Sequence, residues 1–142
     1  MKAVRTTLIV VPAGMKGGRV SDEEMRSQLR KTRILGIDPG YAIVGFGVVE
    51  YDGYGFVPLH FGAITTQAGT DFTLRLKTIY DDMNTVLTTF RPDAMAIEKL
   101  FFNTNQKTGI DVAQARGVTL LAAVNAGVPI FEYTPLQVKQ SV

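Results

Sequence analysis

The chain has 142 residues, with no cysteine, no tryptophan and one histidine, His60. Without cysteine, disulfides, thiolate metal sites and cysteine nucleophiles are excluded. The same lack suits a reducing compartment. One histidine rules out a multi-histidine zinc site and leaves a Ser–His triad without support. No apolar run approaches the roughly 18 residues that span a bilayer. The N-terminal run Leu8–Val11 stops at Pro12, too short for a secretory h-region. These absences predict a cytoplasmic protein with no membrane association. Length and an ordinary composition, 46% hydrophobic and 20% charged, predict a single soluble domain.

The net charge of +2 is uneven along the chain. Residues 1–32 hold seven Lys/Arg and three Asp/Glu, a balance of +4, whereas residues 33–142 hold eight and ten, a balance of −2. Residues 1–32 therefore read as a basic extension. Gly14, Gly17 and Gly18 break any regular pattern there, and Ser21-Asp22-Glu23-Glu24 is a cap for one short helix reaching Lys31. A disordered basic tail is the plainer expectation, and an arm that contacts phosphates is the sharper one.

From Arg33 the pattern becomes regular. Ile34–Asp38, Ile43–Tyr51 and Phe56–Thr65 read as strands, the last two joined through the turn signal Asp52-Gly53-Tyr54-Gly55. Three strands with short connections imply an antiparallel meander. Asp71 is an N-cap for a helix whose apolar face is Phe72, Leu76, Ile79, Tyr80, Met83, Val86, Leu87 and Phe90. Arg91-Pro92-Asp93 ends it, and Ala94–Glu98 follows as a strand in a parallel crossover. A polar loop, Asn103–Thr108, leads to a second helix over about 109–125. Val128–Tyr133 is a fifth strand, and Thr134-Pro135 opens another helix. The order is βββαβαβ, an α/β domain over residues 33–142.

Two acids each end an apolar strand: Asp38 after Ile34-Leu35-Gly36-Ile37, and Glu98 after Ala94-Met95-Ala96-Ile97. An acid at the end of a buried strand is costly unless something compensates it. Asp-Pro-Gly is also a common turn, so Asp38 alone is a weak signal. Glu98 is stronger, because ligands of α/β sheets gather at the carboxyl ends of parallel strands. Together the two suit Mg²⁺ or Mn²⁺, and two such ions about 4 Å apart cleave phosphodiesters. The other acids considered, Glu50, Asp52, Asp81, Asp82, Asp93, Asp111 and Glu132, fall mostly in turns or on helix faces and read as solvated.

Arg33-Ile34-Leu35-Gly36-Ile37-Asp38-Pro39-Gly40, Gly45-Phe46-Gly47, Ala96-Ile97-Glu98, Phe101, Gln114-Ala115-Arg116-Gly117 and Gln137-Val138-Lys139-Gln140 resemble, in order and spacing, the RuvC-type Holliday junction resolvases. The likeness spans residues 33–142. It implies a ribonuclease-H-like fold, a homodimer, a branch-migration helicase partner and Mg²⁺-dependent cutting of four-way DNA junctions. It also implies that Asp38 and Glu98 are the first two catalytic carboxylates and that Phe101 stacks on a base near the crossover. Lys139 is then a phosphate contact or a solvated helix lysine, and Arg116 contacts DNA or pairs with an acid. His60 receives no role. The family's remaining acids lie on a final helix that this sequence does not reach. The resemblance therefore predicts half of the carboxylate set and little cleavage by residues 1–142. Two rivals remain at this stage: a non-catalytic junction-binding or dimerisation remnant, and an actin-like ATPase fragment, since an Ile-Asp-x-Gly turn also cradles phosphate.

Overall fold

The apolar alternation of Ile34–Asp38 forms the middle strand of a five-stranded sheet in a computed structural model of the chain, which describes residues 31–100, 106–134 and 137. Strand β1 (Thr32–Asp38) pairs antiparallel with β2 (Ile43–Tyr51), which pairs antiparallel with β3 (Phe56–Thr65). On its other side β1 runs parallel to β4 (Ala94–Glu98), and β4 runs parallel to β5 (Ile130–Tyr133). The order across the sheet is β3-β2-β1-β4-β5. Helix α1 (Phe72–Phe90) links β3 to β4, and α2 (Gln106–Asn125) links β4 to β5. This is the mixed five-stranded βββαβαβ arrangement expected from periodicity. Strands β1, β3, β4 and β5 all run in one direction, so their carboxyl ends share one edge.

Local chemistry explains the boundaries. In the β2–β3 turn the Asp52 carboxylate accepts from the Tyr54 and Gly55 amides, each at 2.9 Å, and Gly53 takes φ +93°. Asp71 caps α1 by accepting from the Thr73 amide at 2.9 Å. The Thr73 hydroxyl and amide, with the Leu74 amide, hold the Asp71 carboxyl below its usual pKa. Arg91 closes α1 in the left-handed region, its N–H on the Leu87 carbonyl at 3.0 Å, and Pro92 blocks continuation.

Alternate strand positions form the core. Leu35, Ile37, Val44, Val48, Ile64, Met95 and Ile97 are buried against Ile79, Met83 and Leu87 of α1 and Ala115, Ala122 and Ala123 of α2. Burying each large side chain contributes roughly 1.5–3 kcal/mol. The intervening positions point to the other face, where Gly36, Gly45, Gly47 and Ala96 are small and Ile43, Phe61 and Phe131 are exposed. Both described helices pack on the first face.

Three boundaries differ from expectation. β1 begins at Thr32, inside the span expected to be extension. α2 begins at Gln106, three residues before the expected start, because Gln106-Lys107-Thr108 is polar yet helix-compatible. β5 begins at Ile130 rather than Val128. Gly127, at φ +71°, turns the chain so that the Val128 amide bonds the Ala123 carbonyl at 3.0 Å, and Pro129 has no amide to give a strand. Thr134 and Gln137 cap each other: the Thr134 amide donates to Gln137 Oε1 at 2.7 Å, and the Gln137 amide to Thr134 Oγ1 at 3.1 Å. Apart from Gln137, the helix expected from Pro135 lies outside the described residues, as does all but the end of the N-terminal extension.

Candidate active site

The parallel register pairs Ile37 with Ile97, so Asp38 and Glu98 are the next step on adjacent strands. Such strands lie about 4.8 Å apart. Alternation turns both carboxylates away from the buried Ile37 and Ile97. Asp38 is exposed and Glu98 half-buried. Neither side chain has an ion pair or hydrogen bond among the described residues.

Two glycines shape the approach to Asp38. Gly45 is its register partner on β2, and a Cβ there would lie 3.5 Å from Asp38 Cβ. A larger side chain would crowd the acid. At Gly40 a Cβ would run into the Ile43 carbonyl oxygen, so the turn after Asp38 closes only around glycine.

Tyr133 completes a row of three. It is the register partner of Glu98 on β5. Burial first, then the charges of Glu98 and Asp38, raise its pKa above the usual phenol value. The phenol therefore stays protonated at neutral pH. Sequence reading missed this residue, since a tyrosine ending a strand reads only as a β-former. The available signal was that β5, like β1 and β4, ends in a polar group.

Arg116 on α2 is nearly buried and already engaged. Its Nε–H donates to the Glu98 carbonyl at 3.2 Å, and Nη2 pairs with Glu132 at 3.0 Å. It thus ties α2 to the end of β4 and to β5, which is the acid pairing given as one of its two expected uses. Phe101 and Lys139 lie outside the described residues. His60 stacks near Phe90, ring centres 5.1 Å apart, and Phe46, 6.0 Å apart.

The donors offered at this edge are carboxylate oxygens lacking any cationic partner among the described residues, which fits a hard divalent ion. Among the described residues no group of three or more His, Asp or Glu comes close enough to hold a metal by itself. Water would fill most of the coordination shell of an ion bound there.

A mixed sheet in this order, with acids ending its two central parallel strands, defines a ribonuclease-H-like domain. The family model for crossover junction endodeoxyribonuclease RuvC matches residues 34–142, and the chain belongs to that family. A crossover junction endodeoxyribonuclease RuvC of Brevibacillus brevis is 59% identical over 110 residues, covering 78% of this chain and 66% of its own. The protein of that name from Caldanaerobacter subterraneus is 54% identical over 110 residues, covering 78% of this chain and 67% of its own. The structure of T. thermophilus RuvC in complex with a Holliday junction substrate superposes with a TM-score of 0.71 at 36% identity, covering 77% of this chain and 68% of that one. The chain thus spans about two thirds of the length of the curated relatives it matches.

Proposed function

We propose that this protein acts on four-way DNA junctions in recombination and repair, as a metal-dependent endonuclease that hydrolyses phosphodiester bonds. The observation that carries this reading is the in-register pair Asp38 and Glu98, with no cation among the described residues to neutralise it. Family membership supports the reading, as does the T. thermophilus relative solved with a Holliday junction.

Asp38 and Glu98 are the metal ligands in this reading, for Mg²⁺ or Mn²⁺. Bound there, such ions would polarise the scissile phosphate and lower the pKa of an attacking water. Arg116 fixes the Glu98 carbonyl and so holds the end of β4 in place; its Nη1, without a partner among the described residues, is the part that would serve a DNA contact. Tyr133 stands beside both acids as an O–H donor. The resemblance adds Phe101 as a stacking residue and Lys139 as a phosphate contact. A homodimer forms through α2, whose exposed Ile110, Gly117, Leu121 and Val124 follow one another at 7, 4 and 3 residues along one helix face. The branch-migration helicase partner rests on the resemblance, and the cytoplasmic setting on the lack of cysteine and of any long apolar run. No helix among the described residues is long and apolar enough to cross a membrane.

The test is a four-way junction incubated with the protein, with and without Mg²⁺, scored for binding and for cutting. In a chain carrying the acid-bearing final helix that the resemblance implies, Asp38→Asn and Glu98→Gln should each abolish cutting while binding survives, since removing negative charge does not weaken contact with phosphate; residues 1–142 alone should show little cutting. A variant cutting at near wild-type rate overturns the role of that acid. Tight junction binding with no Mg²⁺- or Mn²⁺-dependent cutting, even by the chain extended through that final helix, would favour a binding module instead.

A further inference from the structure

On the β3 side of the same sheet edge, a half-buried arginine is held in a seat built from three segments. Arg75 lies in the first turn of α1, and its Nε–H donates to Thr66 Oγ1 at 2.9 Å. The Thr66 hydroxyl in turn donates to the Tyr41 carbonyl at 2.5 Å. The guanidinium carbon sits 4.9 Å from the centre of the Tyr41 ring, within cation–π range. The Phe72 ring braces Tyr41 edge-on at 6.1 Å, and the Thr66 amide bonds the Ala42 carbonyl at 2.9 Å. The loop after Asp38, the residue after β3 and the start of α1 thus converge on one guanidinium.

Among the described residues this guanidinium uses one of its five N–H donors. Neither Nη atom has a hydrogen-bond or ion-pair partner among the described residues. The paired end of its fork thus meets no protein acceptor among the described residues and is open to a ligand from solvent. Arg33, at the opposite end of β1, shows the contrast: its Nη atoms bond the Phe90 carbonyl and the Glu50 carboxylate. Thr66 follows β3, two strand spacings from β1, so the Arg75 seat lies on the order of 10 Å along the edge from Asp38; it rises from the helix-covered face while Asp38 and Glu98 turn to the other, so a strand that meets all three crosses this edge of the sheet. Tyr41 is three residues past Asp38 on the same loop, which links the position of the seat to that of the acid.

We propose that Arg75 is a phosphate-binding residue, its open Nη fork clamping one backbone phosphate of a nucleic-acid strand laid across Asp38 and Glu98, on the β3 side of the cut. This rests on the reading of the protein as a DNA-junction endonuclease. A planar guanidinium matches a phosphate with two parallel N–H···O bonds. The Thr66 bond and the Tyr41 ring set the fork in advance, so little side-chain freedom is lost on contact.

Binding of a four-way junction and of a linear duplex, measured without divalent metal over a range of salt, tests the clamp. Arg75→Gln should weaken binding of both DNAs about tenfold at moderate salt. It should also flatten the plot of log K against log salt by about 0.9, one phosphate's worth of released counterions. Arg75→Lys should restore the slope but not the full affinity, and Thr66→Val should keep the slope while weakening binding. An unchanged slope in Arg75→Gln, whatever its melting temperature, overturns the clamp and leaves the junction reading standing. If the unsubstituted protein binds the duplex as well as the junction, the junction reading fails while the slope comparison still decides the clamp. Absence of DNA binding by the unsubstituted protein overturns both.

Discussion

Glu98 and Tyr133 are register partners on adjacent parallel strands, so a carboxylate and a phenol stand side by side where β4 and β5 end. Burial and the neighbouring charges of Glu98 and Asp38 push the phenol pKa above 10.0. Ultraviolet titration of wild type against Tyr133→Phe should show that the ionisation lost in the variant lies above the ordinary phenol value. Glu98→Gln should bring it down toward the ordinary value, though not fully, since burial is the larger cause. The effect on stability has one sign. Below pH 10 the phenol is neutral in both folded and unfolded chains, and nothing is lost. Above it the unfolded chain ionises first, so stability falls as pH rises toward the folded pKa. Tyr133→Phe should flatten that fall. A Tyr133 titration indifferent to Glu98→Gln would show that the two groups do not meet.

Asp38 and Glu98 repel each other across one strand spacing. Removing either charge should therefore leave the fold intact and stabilise it in metal-free buffer, by up to about 1 kcal/mol. Urea unfolding of Asp38→Asn and Glu98→Gln would measure this, and the gain should shrink at high salt. With Mg²⁺ added the order should reverse, because wild type alone gains from binding the ion. A clear loss of stability in metal-free Asp38→Asn would mean that the acid serves the fold rather than a cation.

Gly40 has no room for a side chain, since a Cβ would collide with the backbone oxygen of Ile43. Gly40→Ala should cost more than about 1 kcal/mol by urea unfolding. It should also disturb the loop that carries Tyr41 and follows Asp38. Gly55→Ala, where a Cβ meets nothing within 4 Å, is the control and should be close to neutral. Equal costs at the two positions would contradict the turn geometry.

Most of the fold was legible because its signals are local. Alternation marked β1 to β4, Asp52-Gly53-Tyr54-Gly55 marked the hairpin, and Asp71 and Pro92 bracketed α1. The errors came where local composition misleads: polar Gln106-Lys107-Thr108 is helical, and apolar Val128 is still tied to the helix end. Asp38 and Glu98 stood out because each interrupts an apolar run. Tyr133 and Arg75 did not. Their partners lie 35 residues away at Glu98 and 9 and 34 residues away at Thr66 and Tyr41. Only strand register and helix placement bring those groups together, and no spacing in the sequence records them.

Helix α2 presents two apolar faces. One buries Ala115, Ala122 and Ala123 in the core, while Ile110, Leu121 and Val124 are 52–62% exposed on the other. Gly117 lies within that outer face and is itself exposed, with no atom within 4 Å of where a Cβ would stand. A small residue there lets a second helix approach closely, and a twofold pairing along this face would join two copies through the same stripe. Sedimentation at micromolar concentration should therefore give a dimer. Leu121→Glu should yield a folded monomer, because a carboxylate at an exposed position leaves the core untouched while an unpaired charge inside the dimer contact is costly. Gly117→Leu should weaken the dimer by bulk alone. Circular dichroism of both variants should match wild type in helix content. A wild-type protein that sediments as a monomer, with the same profile as Leu121→Glu, would remove this face as a dimer contact.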